Sequence, residues 1–235
     1  MRLGTLKAEW VKLWSLRAPV CAIVATGVAT VAGGVLTAQA VAESPRMAVG
    51  PVAASMEGVQ YARFAVVVLG VLVATSEYSS GLVRWTFAAV PTRLPVLAAK
   101  AVLVAGVTAV VGLMTVPVAF LAGQAVLGSR GVGLGDAGVP PALVGAVGQL
   151  VGIALLGVAV GTLLRNAAAA VGTVIAAVAI LPGLLDTVSA DVARFAPGRA
   201  GEETMTDAWP AAPILLAWVV AALVGAGYLL RRRDA

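Results

Sequence analysis

The chain has no histidine and a single cysteine, Cys21, so an intrachain disulfide and a Cys/His metal centre are both excluded. Charge is scarce too: Asp, Glu, Lys and Arg make up 11% of 235 residues, against about a quarter in soluble domains. Lysine occurs only as Lys7, Lys12 and Lys100, and none lies in a G-x-x-x-x-G-K-[ST] stretch. A P-loop, and with it nucleotide hydrolysis by this chain, is therefore excluded. The apolar runs hold no paired carboxylates, no Ser/His pair and no metal-ligand cluster, so no enzyme activity is expected. Nor is there an ionisable group near mid-run, as a proton-coupled carrier usually needs: Arg63, Glu77 and Lys100 all lie toward run ends.

What is abundant is apolar sequence, 60% of the chain, gathered into six runs. They cover about Pro19 to Ala42, Val59 to Thr75, Val96 to Leu127, Pro141 to Leu164, Ala167 to Leu185 and Ala212 to Leu230. A helix needs about 20 apolar residues to cross the hydrocarbon, whereas barrel strands are about ten residues long and alternate apolar with polar. The expected fold is therefore all-α, one integral membrane domain over 1–235 with six transmembrane helices. The third run is long enough to tilt, and Pro117 is expected to kink it. Arg165 and Asn166 alone separate runs four and five and predict a tight hairpin. Gly148/Gly152 and Gly157/Gly161 are two small-xxx-small pairs that serve close helix packing, within the subunit or between subunits.

Residues 1–17 place Leu3, Leu6, Trp10, Leu13 and Trp14 on one helical face, with Arg2, Lys7, Glu9 and Lys12 mostly off it, the pattern of an N-terminal interfacial helix. A signal peptide is the competing reading, with Ala38-Gln-Ala40 as its cleavage site. The first run is longer than the roughly 7 to 15 apolar residues of such peptides, so a retained span is expected. Eleven of the sixteen basic residues fall on the side of the two termini, which the positive-inside rule makes cytoplasmic. The net charge of +5 thus reflects membrane orientation, and no nucleic-acid partner is expected. The outer segment 186–211, with Phe195, Pro197, Trp209 and Pro210, reads either as an anchored loop or as short interfacial or re-entrant helices.

Charge, aromatics and turn residues gather in one place, from Glu77 to Lys100. A helix capped by Ser79 or Ser80 and running to Val90 would align Tyr78, Leu82, Trp85 and Ala89 on one stripe with Arg84 pointing away. Pro91 and Pro95 would then end it. Such a helix either rests on the lipid surface or serves as the handle by which a soluble partner moves the spans at its ends.

Several stretches resemble one family. Glu77-Tyr-Ser-Ser-Gly-Leu-Val-Arg84, Ala88-Ala-Val-Pro-Thr-Arg93 and Leu94-Pro-Val-Leu-Ala-Ala-Lys100 are similar to the loop after span two in actinobacterial ABC-type export permeases of the second type. Leu6-Lys-Ala-Glu-Trp-Val-Lys-Leu13, Leu163-Leu-Arg-Asn166 and the ending Leu229-Leu-Arg-Arg-Arg-Asp-Ala235 resemble the same family. The resemblance implies a six-span permease subunit in the bacterial plasma membrane, both termini cytoplasmic, pairing with a second permease copy. It also implies a cytoplasmic P-loop ATPase partner that binds ATP and Mg, while this chain itself holds no cofactor. The loop 77–95 would form the coupling helix between spans two and three, with Glu77, Tyr78, Leu82, Arg84 and Trp85 at the ATPase contact. The substrate is not implied. Two other readings fit the same spans: a non-transporting membrane anchor or sensor subunit, and an ion-coupled secondary transporter.

Overall fold

The computed structural model of the chain describes residues 3–44, 49–80, 94–205 and 211–232. The described residues are helical, without a strand. Helix α1 (Leu3–Ser15) leads into α2 (Arg17–Glu43), followed by α3 (Pro51–Met56), α4 (Gly58–Ser80), α5 (Leu94–Leu127) and α6 (Val139–Leu164). Next come α7 (Ala167–Asp186), the short α8 (Ala190–Ala193) and α9 (Pro197–Glu203), and α10 (Ala212–Arg232). Six segments are long and apolar enough to cross a membrane: α2, α3 with α4, α5, α6, α7 and α10.

Proline positions explain most of the breaks. Leu16 alone separates α1 from α2, in extended backbone at φ −102°, ψ 129°. Pro19 lacks the N–H that would bond the carbonyl of Ser15, four residues back, and its ring crowds that oxygen, so the helix must restart. Pro182 acts likewise on Val178, and the residues before it, Ala176–Ile180, form a π-helical turn inside α7. Gly198 of α9 packs against that same Val178 carbonyl, which a Cβ would overlap. Pro51, Pro95 and Pro140 fall in the first turns of α3, α5 and α6, where a missing N–H costs nothing. Pro117 is retained within the continuous helix α5.

The two-residue turn between α6 and α7 is formed by Arg165 at φ 55°, whose N–H bonds the Gly161 carbonyl, and by Asn166. The Asn166 side chain caps α7 by accepting from the Ala169 N–H at 3.0 Å.

Helices α4 and α6 form the centre of the bundle. The most apolar windows of their spans are 61% buried, against 22–33% in the other four. Helix α4 packs on α2, α6 and α7, and α6 also meets α5 and α10. Lipid tails are as apolar as leucine, so close approach rather than hydrophobicity holds such helices together. At the α4–α6 crossing a Cβ on Gly70 would overlap the Ala154 carbonyl oxygen, and one on Gly157 would lie 2.9 Å from the Val67 oxygen. Gly161 completes the contact against Ala74. Gly157/Gly161 therefore pack inside the subunit, Gly152 meets Leu215 of α10, and Gly148 faces open space.

Candidate functional site

Four charged side chains from three elements meet where α1, α4 and α5 come together. Glu9 of α1 accepts from Lys12 at 2.8 Å through Oε1 and from Lys100 at 2.9 Å through Oε2. Glu77, in the last turn of α4, accepts from Lys12 at 2.7 Å and from Lys100 at 2.8 Å, both through Oε1. The third proton of the Lys100 ammonium goes to the Val73 carbonyl at 2.9 Å. An ammonium has three donors, and all three of Lys100 are used. Glu9, Glu77 and Lys100 are 3%, 4% and 6% exposed. Buried charge is tolerable here because two carboxylates balance two ammoniums and each group meets two of opposite sign.

Lys12 is the most accessible member, its side chain 35% exposed. Partial burial acts to lower its pKa, but the hydrogen bonds to Glu77 and Glu9 and their charges outweigh this and hold it above the ordinary 10.5. A pKa raised by folding contributes stability that is complete below the unfolded value and lost as pH rises through the folded one. The stability difference between wild type and Lys12→Met should therefore be constant up to about pH 10 and shrink above it. Melting curves of both proteins across the alkaline range check this. A difference that vanishes already at neutral pH would contradict it.

Sequence reasoning singled out Glu77 but not Glu9, Lys12 and Lys100 as its partners. The signal for Glu9 lay in its spacing: it is three residues after Leu6 and four before Leu13, the two residues by which α1 packs on the bundle. The expected single apolar face of α1 is in fact divided. Leu13 is buried and Leu6 packs on the core, whereas Trp10 and Trp14 are exposed, their ring centroids 5.6 Å apart.

Ser79 and Ser80 lie in the last turn of α4, which runs on past the apolar run with Glu77 bonded by lysines; the helix expected from them to Val90 lies outside the described residues. Tyr78 is half-buried, with the Arg165 guanidinium carbon 5.2 Å from its ring centroid. Leu82, Arg84 and Trp85 lie outside the described residues.

The cluster has no room for a solute. Cavities of about 20 and 10 Å³ flank it, each adequate for one water at most. Among the described residues no three His, Cys, Asp or Glu side chains are grouped to hold a metal ion.

A second polar group lies toward the other end of the bundle. Arg63 of α4 donates to Glu202 of α9 at 2.6 Å, and Gln149 of α6 donates to Gln60 of α4 at 3.3 Å. Thr204 donates to the Gly145 carbonyl at 3.2 Å. Pro197, Gly198, Ala200 and Gly201 are buried, so α9 is inserted among the spans rather than laid over them. Of the two readings of segment 186–211, short helices are the one observed. Among the described residues Gln149 Oε1 and Arg63 Nε are buried without a hydrogen-bond partner, so this end is less fully satisfied than the Glu9–Lys100 cluster.

Six apolar spans make the chain a multi-pass membrane protein. No protein-family model matches it, and neither does any curated protein.

Proposed function

We propose that the chain is the membrane permease subunit of an ATP-driven ABC exporter, paired with a second permease copy in the bacterial plasma membrane, with both termini cytoplasmic. A separate P-loop ATPase on that face binds ATP and Mg and supplies the energy, since the sequence has no phosphate cradle of its own. The observation that carries this reading is the buried four-charge cluster. Glu77 and Lys100 stand at the two ends of the segment that resembles a coupling loop, and both are bonded to one another and to the N-terminal helix. A handle between two spans transmits force only if its base does not give way, and a set of buried ion pairs joining three helices supplies such a base.

In this reading Glu77 is a positioning residue, its carboxylate engaged by Lys12 and Lys100, while Arg84 touches the ATPase with Leu82 and Trp85. Tyr78 orients the loop's first turn against Arg165. Charge pairs at protein contacts are worth about 1.5 kcal/mol or more, so Arg84→Glu should weaken ATPase copurification about tenfold or beyond. Solute export should fall with it at matched membrane abundance. Lys7→Glu, on the exposed side of α1, should change neither. Full copurification and export by Arg84→Glu would remove the coupling assignment, and purification of the native complex without any ATPase would remove the exporter reading altogether.

A further inference from the structure

Helix α10 packs on α6 and meets α5 at Gly227, where a Cβ would lie 3.1 Å from Leu94 Cδ2. Beside that contact runs a groove of about 570 Å³, lined by Leu97, Ala98 and Ala101 from α5 and by Val224, Gly227 and Tyr228 from α10, with Arg231 at one end. The volume falls within the range of sites that enclose a small ligand. Val224 and Tyr228 are exposed, as are the neighbouring Val102 and Val220, so the groove opens on the outer surface of the helix bundle.

Its chemistry is asymmetric. The walls are apolar except at the Arg231 end. Arg231 is exposed and, among the described residues, has no acidic partner. Arg232 stacks on Tyr228, its guanidinium carbon 4.6 Å from the ring centroid. Among the described residues, the carboxylates at this end of the bundle, Glu9 and Glu77, are bonded by Lys12 and Lys100.

We propose that this groove binds one anionic phospholipid, its acyl chain between α5 and α10 and its phosphate on Arg231. An acyl chain matches apolar walls within the hydrocarbon, and a phosphate oxygen accepts charge-assisted hydrogen bonds from a guanidinium. Two arginines without an acidic partner among the described residues favour a net negative headgroup over a zwitterionic one, and in the orientation proposed above they lie on the cytoplasmic leaflet, whose surface is negative. A second copy docked symmetrically through the same groove would bring its own Arg231 to the mouth, like charge against like.

The test is native mass spectrometry of the full-length chain reconstituted in bilayers of phosphatidylglycerol and phosphatidylcholine in equal amounts. Wild type should retain one phosphatidylglycerol in preference to phosphatidylcholine. Arg231→Glu should lower that retention about tenfold, with Arg231→Gln intermediate. Ala98→Phe, which fills the groove, should release both lipids. Arg17→Glu, equally exposed and basic but on α2, should retain the lipid like wild type. Equal retention of the two lipids, or equal loss in Arg17→Glu and Arg231→Glu, would overturn the site. So would a disulfide between copies through Val224→Cys in a Cys21→Ser background, which would mean that a second chain occupies the groove.

Discussion

Lys100→Met should lower the thermal unfolding temperature of the purified protein more than replacement of any other charged residue. The side chain keeps its length and apolar stem, but the buried Glu9 and Glu77 carboxylates each lose the Lys100 ammonium, and the Val73 carbonyl loses its side-chain donor. Removing one partner from a buried ion pair costs about 3–5 kcal/mol, mostly because the remaining charge is stranded. For a chain of this size that corresponds to a fall of roughly 10 °C. Lys12→Met should cost much less, since water can replace a half-exposed ammonium. The double variant Glu77→Gln/Lys100→Met should be less damaged than the two single effects predict together, because it removes a carboxylate along with its counter-ion. Melting curves of wild type, the three single variants and the double variant in one detergent decide the matter. If Lys100→Met melts within a degree or two of wild type, the cluster contributes nothing to the fold.

The second large effect is steric. Gly70→Val should yield little folded protein, because its Cβ would overlap the Ala154 carbonyl oxygen. Overpacked side chains usually cost about 1–3 kcal/mol after neighbours rotate away. A backbone carbonyl cannot rotate away, so α4 and α6 would have to separate along their whole crossing, and the loss should exceed that range. Gly106→Val is the matched control, since nothing lies within 4 Å of its Cβ position. Size-exclusion profiles of both variants, extracted identically, provide the comparison. A monodisperse Gly70→Val protein with wild-type melting would show that the two spans do not need this approach.

The spans were legible because their signal is compositional and long: each needs only an unbroken apolar run, and boundaries shifted by a few residues where proline or glycine set them. The break at Leu16 was legible in principle from Pro19, and so was the π-helical turn from Pro182, because a missing N–H acts at a fixed distance of four residues. The Glu9–Lys12–Glu77–Lys100 cluster was not legible as a unit. Its members are 3 to 91 residues apart, and the charge rule that placed them near one membrane face does not say that they touch. The resemblance assigned Glu77 to a partner contact, and an acidic residue at a span end ordinarily faces water. Here two lysines take water's place. The insertion of α9 was equally hidden, since segment 186–211 fitted an anchored loop as well as short helices, and nothing in it pointed to the close approach of Gly198 to the Val178 carbonyl.

The order of the four charges along the chain bears on how the protein is made. Synthesis runs from the N-terminus, so Glu9 and Lys12 emerge first, Glu77 follows at the end of span two, and Lys100 comes last. Both carboxylates are thus already waiting at the membrane surface when the only lysine that must be buried arrives. A lysine entering hydrocarbon alone would be costly, and one that arrives after its acceptors need never be alone. Nascent chains cut short before Lys100 would carry Glu9, Lys12 and Glu77 with a charge unbalanced by one.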